Sequence, residues 1–265
     1  MLTSSANMTR DLMTKVPAVT LAFWLIKICA TTVGETGGDA LSMTLKLGYA
    51  VSTLIFLVFF AVTLAIQVRA RRYHPFAYWA VVVATTTVGT TLSDFLDRSA
   101  GLGYVYSSLF EFISVLVVLY IWRRVSGKIE FENITNRRDE VFYWLTILVS
   151  NTLGTALGDF TADTTGLGLG FGGGALVFTG LLGLIAAAHF FTKLPAAVLF
   201  WAAYILTRPL GATLGDTLTK PPDHGGLGLS RIASSLVIAA VMVAGILWTI
   251  YRDRQAPPTS GSAAA

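Results

Sequence analysis

The sequence predicts an all-α integral membrane protein of eight transmembrane helices, arranged as four parallel two-helix repeats. Two observations carry this. The 265 residues are 54% hydrophobic and only 13% charged, with a mean hydropathy of +0.67, whereas soluble domains carry about a quarter charged residues. One pattern also recurs four times: an aromatic-Trp pair, a glycine ten residues after the Trp, and an aspartate five residues after the glycine.

The copies are Phe23-Trp24, Gly34, Asp39; Tyr78-Trp79, Gly89, Asp94; Tyr143-Trp144, Gly154, Asp159; and Phe200-Trp201, Gly211, Asp216. A second glycine follows each aspartate, at Gly48, Gly103, Gly168 and, after an insertion, Gly228. Such self-similarity marks a repeat architecture. Each copy holds two apolar runs of about 20 residues, the length that crosses a bilayer. The expected first helices cover roughly 17–40, 77–96, 141–160 and 196–218, and the second roughly 45–68, 103–123, 171–191 and 230–250. The resulting organisation is an N-terminal segment 1–16, repeats 17–72, 77–123, 141–191 and 196–250, a linker 124–140, and a disordered tail 251–265. The repeats are expected in quasi-fourfold order or as two four-helix halves.

Two helices per repeat make every repeat enter from the same side. The termini and inter-repeat connections hold thirteen Lys and Arg residues, Arg10 and Arg71 among them, and the hairpins within repeats hold four: Lys46, Arg98, Lys220 and Arg231. The positive-inside rule then puts both termini in the cytoplasm. No cleavable signal is recognisable at the N-terminus. Each Trp is expected at the cytoplasmic interface as a membrane anchor. Fifteen residues of helix, about 22 Å, set the aspartates in the outer part of the membrane.

Those carboxylates are the candidate site. Glu35 and Asp39, Asp94 and Asp97, and Asp159 and Asp163 are spaced three or four apart, which stacks them on one helical face. Like charges so placed repel unless a cation, a proton or an opposing side chain lies between them. Rings of Asp or Glu select cations, and hard oxygen ligands suit magnesium, calcium or manganese. Asp39, Asp94, Asp159, Asp216, Glu35, Asp97 and Asp163 are therefore the expected metal ligands. Thr32, Thr87, Thr152 and Asn151 offer neutral oxygens, Arg208 and Lys220 counter-charges, and Glu111 a possible proton-coupling acid or a partner for Lys27 or Arg208. Lys27 itself is expected to snorkel to the interface. The competing reading makes each Gly-Asp step a structural end to its helix, with the aspartate capping the hairpin.

Single Cys29 excludes disulfides and cysteine metal sites. FGGGA at 171–175 lacks the Lys-Ser/Thr continuation of a phosphate loop. No catalytic constellation is present, so an enzyme is not expected, and neither is a resident cofactor. The expected partners are the lipid bilayer and a metal ion as substrate, with no nucleic acid.

The aromatic-Trp…TT-x-G-x4-D pattern across residues 17–250 resembles a bacterial family of uncharacterised membrane-anchored repeat proteins, which implies an inner-membrane location. GETGGDALS at 34–42 is similar to the E-x-G-D-[KR]-[TS] motif of a cation-exporter family that handles calcium and manganese. The likeness maps onto Glu35, Gly38 and Asp39, with an extra residue before Gly-Asp and Ala40-Leu41 in place of the basic-hydroxyl pair. Together these readings point to a divalent-cation transporter or channel, with manganese and export favoured. The alternative is a non-transporting sensor or assembly partner.

Overall fold

Within each repeat the first helix is rich in Thr, Gly and Asp, and the second is apolar on nearly every side. That contrast sorts them into two layers. The computed structural model describes residues 15–70, 72–129, 134 and 136–255. Its long helices are α1 (Leu21–Asp39), α2 (Gly48–Arg69), α3 (Pro75–Asp94), α4 (Gly103–Ser126), α5 (Arg137–Ala162), α6 (Gly170–Phe191), α7 (Ala196–Thr219) and α8 (Arg231–Gln255). No strand occurs among the described residues. The odd-numbered helices are largely buried, and the even-numbered ones expose most of their apolar side chains.

The four polar helices form a closed inner ring: α1 packs on α3, α3 on α5, α5 on α7, and α7 back on α1. Each outer helix packs on the inner helix of the following repeat, α2 on α3, α4 on α5 and α6 on α7, and α8 closes on α1. Every hairpin thus straddles a boundary between repeats and ties the ring together. Of the two arrangements expected, the quasi-fourfold one describes the backbone.

Seven of the eight helices are long and apolar enough to cross a membrane, against eight expected. The exception is α1, whose sequence carries Lys27, Glu35, Asp39 and the polar run TTVGETGG. Its inner position hides those groups, so it needs less apolar surface than a lipid-facing span. The boundaries also shift. Helix α8 runs to Gln255 and α4 to Ser126, and α5 begins at Arg137, where Asn136 caps the Asp139 N–H at 2.8 Å. The expected linker and tail shrink accordingly; residues 1–14, 71, 130–133, 135 and 256–265, with the readings made for them, lie outside the described residues.

Close packing of the ring depends on the four repeated glycines. A Cβ on Gly34 would lie 2.2 Å from Thr86 Oγ1, and one on Gly211 would lie 2.2 Å from Thr31 Oγ1. On Gly89 it would meet the Asn151 backbone at 2.8 Å, and on Gly154 the Arg208 side chain at 2.3 Å. Each glycine therefore receives the residue three places before the glycine of a neighbouring repeat. Small residues allow such approach between helices.

At the end of the bundle nearer the termini, the aromatic-Trp pairs interlock around the ring. Phe23 meets Trp79 at 5.5 Å between centroids, Tyr78 meets Trp144 at 5.4 Å, Tyr143 meets Trp201 at 5.7 Å, and Phe200 meets Trp24 at 5.7 Å. The Tyr78 and Tyr143 hydroxyls share a 2.7 Å hydrogen bond. Trp79, Trp144 and Trp201 are buried, which corrects the expectation of interfacial anchors for these three, and Trp24 is half-buried. A Trp beside a second aromatic on an inner helix finds more contact inside the ring than at its rim.

At the opposite, hairpin end, the left-handed glycines Gly48, Gly103, Gly168 and Gly228 begin or precede the outer helices. Two residues before Gly103, Gly101 is also left-handed, while the equivalent position in the first repeat is Lys46 with φ 56°. That conformation costs a non-glycine residue about 1–2 kcal/mol. Lys46→Gly is therefore expected to stabilise the protein by about 1 kcal/mol, read as a higher unfolding temperature in detergent.

Candidate functional site

Inner-helix residues spaced four apart present a column of side chains to the ring's axis. Numbered from the repeat glycine, these positions fall at −7, −3, +1 and +5. They hold Lys27, Val82, Ile147 and Tyr204; then Thr31, Thr86, Asn151 and Arg208; then Glu35, Thr90, Thr155 and Ala212; and last the four aspartates.

The aspartates come together in two pairs. Asp39, Asp94, Asp159 and Asp216 are all buried at the hairpin end. Arg98 joins Asp94 (3.0 Å) to Asp159 (2.9 Å), and Lys220 joins Asp39 (2.8 Å) to Asp216 (3.2 Å). Arg231, at the start of α8, stands 3.4 Å from Asp39. Arg98 and Lys220 each follow their own aspartate by four residues and reach the aspartate of the next repeat. The backbone is quasi-fourfold, and its charges are quasi-twofold. Asp39 Oδ1 and Asp94 Oδ2 are buried without a hydrogen-bond partner. Oxygens of Glu35, Asp39 and Asp216 all lie within 4.8 Å of one another, close enough to share one ion.

One layer deeper, Arg208 stands on the axis. Its Nη2 donates to Glu35 Oε2 (2.9 Å), Thr90 Oγ1 (2.6 Å) and Thr155 Oγ1 (2.7 Å), one residue from each of the other three repeats. The guanidinium has no solvent exposure and plugs the centre of the ring. Deeper again, Lys27 is fully buried, with Nζ 4.2 Å from the Tyr204 ring centroid and no hydrogen-bond partner. The expectation that it snorkels is overturned, because α1 is an inner helix with no lipid-facing route for a side chain at that position.

Other expected site residues fall elsewhere. Asp163 follows the last residue of α5 and accepts from the N–H and hydroxyl of Thr165, both at 2.8 Å, as a turn residue does. Asp97 lies in a π-helical turn, Phe95–Ser99, and its carboxylate accepts from Ser107 on α4 and from Ser93, away from the Asp94 bridge. The hydroxyls of Thr32, Thr87 and Thr152 donate to carbonyls of their own helices. Asn151 Nδ2 donates to Thr85 at 3.0 Å. Glu111 pairs with neither Lys27 nor Arg208: both its oxygens are buried without a partner.

Arg98, Thr90 and Thr155 were not singled out by sequence. Arg98 stands at the same offset from its aspartate as Lys220, and that equivalence was the available signal.

Four tandem helical hairpins closed into an inner polar ring and an outer apolar ring define a four-repeat, all-helical protein with multi-pass character. The chain belongs to the family described as Repeat of Unknown Function (DUF347), whose profile matches residues 22–73, 77–128, 142–194 and 199–255. Searches of curated proteins and of solved structures returned no match.

Proposed function

We propose that the protein is a bacterial inner-membrane transporter for a divalent cation, manganese favoured and export favoured, with both termini in the cytoplasm. The observation that carries this reading is that four equivalent aspartates are all buried, bridged in two pairs by Arg98 and Lys220, and that oxygens of Asp39 and Asp216 lie within 4.8 Å of Glu35. The Lys and Arg bias toward the termini end supports the orientation, and an all-oxygen donor set suits manganese, magnesium or calcium.

In this reading, Lys220 and Arg98 are tethered stand-ins for the transported ion. Each holds two carboxylates that would otherwise repel, and each retains some exposure at the hairpin end. A dication entering between Glu35, Asp39 and Asp216 displaces the Lys220 ammonium, one passing between Asp94 and Asp159 displaces the Arg98 guanidinium, and at each step carboxylate oxygens replace part of the ion's water shell. Beyond the ring, Arg208 and the aromatic girdle close the axis, so passage needs both to move. That favours a carrier over an open channel.

The same ion pairs favour a second reading, in which Arg98 and Lys220 are permanent partners and the ring is a structural clasp in a sensor or assembly partner. Metal content separates the two. Cells expressing the wild type are expected to hold less manganese than cells expressing Asp94→Asn with Asp159→Asn. Equal manganese, magnesium and calcium in both would favour the structural clasp.

A further inference from the structure

Four buried acids lie outside the ring: Glu140 pairs with Lys15, Asp139 accepts from Trp122 and Asn136, and Asp97 and Glu111 remain. Among the described residues no ion pair reaches either one, and Arg98, next in sequence to Asp97, is taken by Asp94 and Asp159. Helix α4 buries one stripe, Ser107, Ser108, Glu111, Val115 and Trp122, so its first three members face the protein together. Ser107 donates to Asp97 Oδ1 in a very short contact, and Ser93 donates to Oδ2 at 3.5 Å. Ser93 also lies beside Glu111, yet both Glu111 oxygens and the Ser108 hydroxyl remain without a hydrogen-bond partner at full burial.

Unpaired charge is costly in such a place unless something neutralises it. A purely structural device would recur in every repeat, and this one does not. The positions equivalent to Asp97 are Ser42, Ala162 and Thr219, and those matching Glu111 along the outer helices' buried stripes are Phe56, Phe178 and Ile238. The second repeat alone supplies two carboxylates and three hydroxyls to one buried spot.

We propose that Asp97 and Glu111, with Ser93, Ser107 and Ser108, form a second site for a hard divalent cation of the magnesium, calcium or manganese class, separate from the aspartate ring. Two carboxylates balance one dication, and hydroxyl oxygens complete a set of the kind such ions take. The site does not depend on transport at the ring.

The test uses the full-length protein purified in detergent and manganese(II) chloride as probe. Free manganese is followed by electron paramagnetic resonance, and unfolding temperature is read with and without the ion. Wild type is expected to bind and to gain stability. Glu111→Gln, which keeps the shape and removes the unpaired charge, should bind at this site at least tenfold more weakly. Asp94→Asn with Asp159→Asn should keep the site, so loss at the ring and loss here are told apart. Should Glu111→Gln fail to fold, Ser107→Ala with Ser108→Ala decides: weaker binding supports the site, and unchanged binding overturns it. The proposal is also overturned if Glu111→Gln binds like wild type. Stabilisation of wild type by acid alone, and by none of the three ions, would overturn it too, since the pair then holds a proton.

Discussion

Arg208→Met is expected to destabilise the protein by about 3–5 kcal/mol, the effect of breaking a buried ion pair from one side. The substitution leaves Glu35 buried without its cation and removes the donor shared by Thr90 and Thr155. Two hydroxyls can re-bond to their own helices, and a carboxylate cannot. Glu35→Met with Arg208→Met should therefore recover most of the loss, because a buried pair replaced by apolar groups of similar volume is often neutral or stabilising. Thermal unfolding of the two single variants and the double variant gives the coupling. Additive losses would show that Arg208 and Glu35 do not act as a pair.

Gly89→Ala is expected to destabilise the inner ring by about 2–3 kcal/mol or more. Its Cβ would fall 2.8 Å from the Asn151 carbonyl carbon and 3.0 Å from the Thr152 nitrogen. Those are backbone atoms of α5, so the methyl can be relieved only by parting α3 from α5 and opening the ring. Gly180→Ala on outer helix α6 is the control, since nothing lies within 4 Å of a Cβ there. It should leave stability unchanged or raise it by up to about 1 kcal/mol. Similar unfolding temperatures for the two variants would contradict the tight inner ring.

The repeat, the glycines and the shared register of the aspartates were legible because each recurs in all four copies. What escaped depended on which helix lay inside. Lys27 and the tryptophans have meanings set by neighbours, and both ordinary readings, snorkelling and anchoring, assume a lipid-facing helix. Asp163 was misplaced because α5 stops at Ala162, so the spacing of four no longer stacks it beneath Asp159. Asp97 was grouped with Asp94 on the same logic, but the chain enters π geometry at Phe95, and helical spacing ceases to predict the face. π-turns of this kind are frequent at functional sites. Arg98 was counted only as a hairpin charge, although its offset of four matches Lys220. The quasi-twofold charge pattern follows from that match alone.

If the aspartate ring binds a transported dication, purified protein in liposomes carries a flux of that ion. Vesicles loaded with a manganese-quenched dye and given manganese outside should quench faster with wild type than without protein. Asp94→Asn with Asp159→Asn should return the rate to that of empty vesicles while leaving the protein folded. Wild-type vesicles that quench no faster than empty ones, with manganese, magnesium or calcium and in the presence of a pH gradient of either sign, would contradict the account.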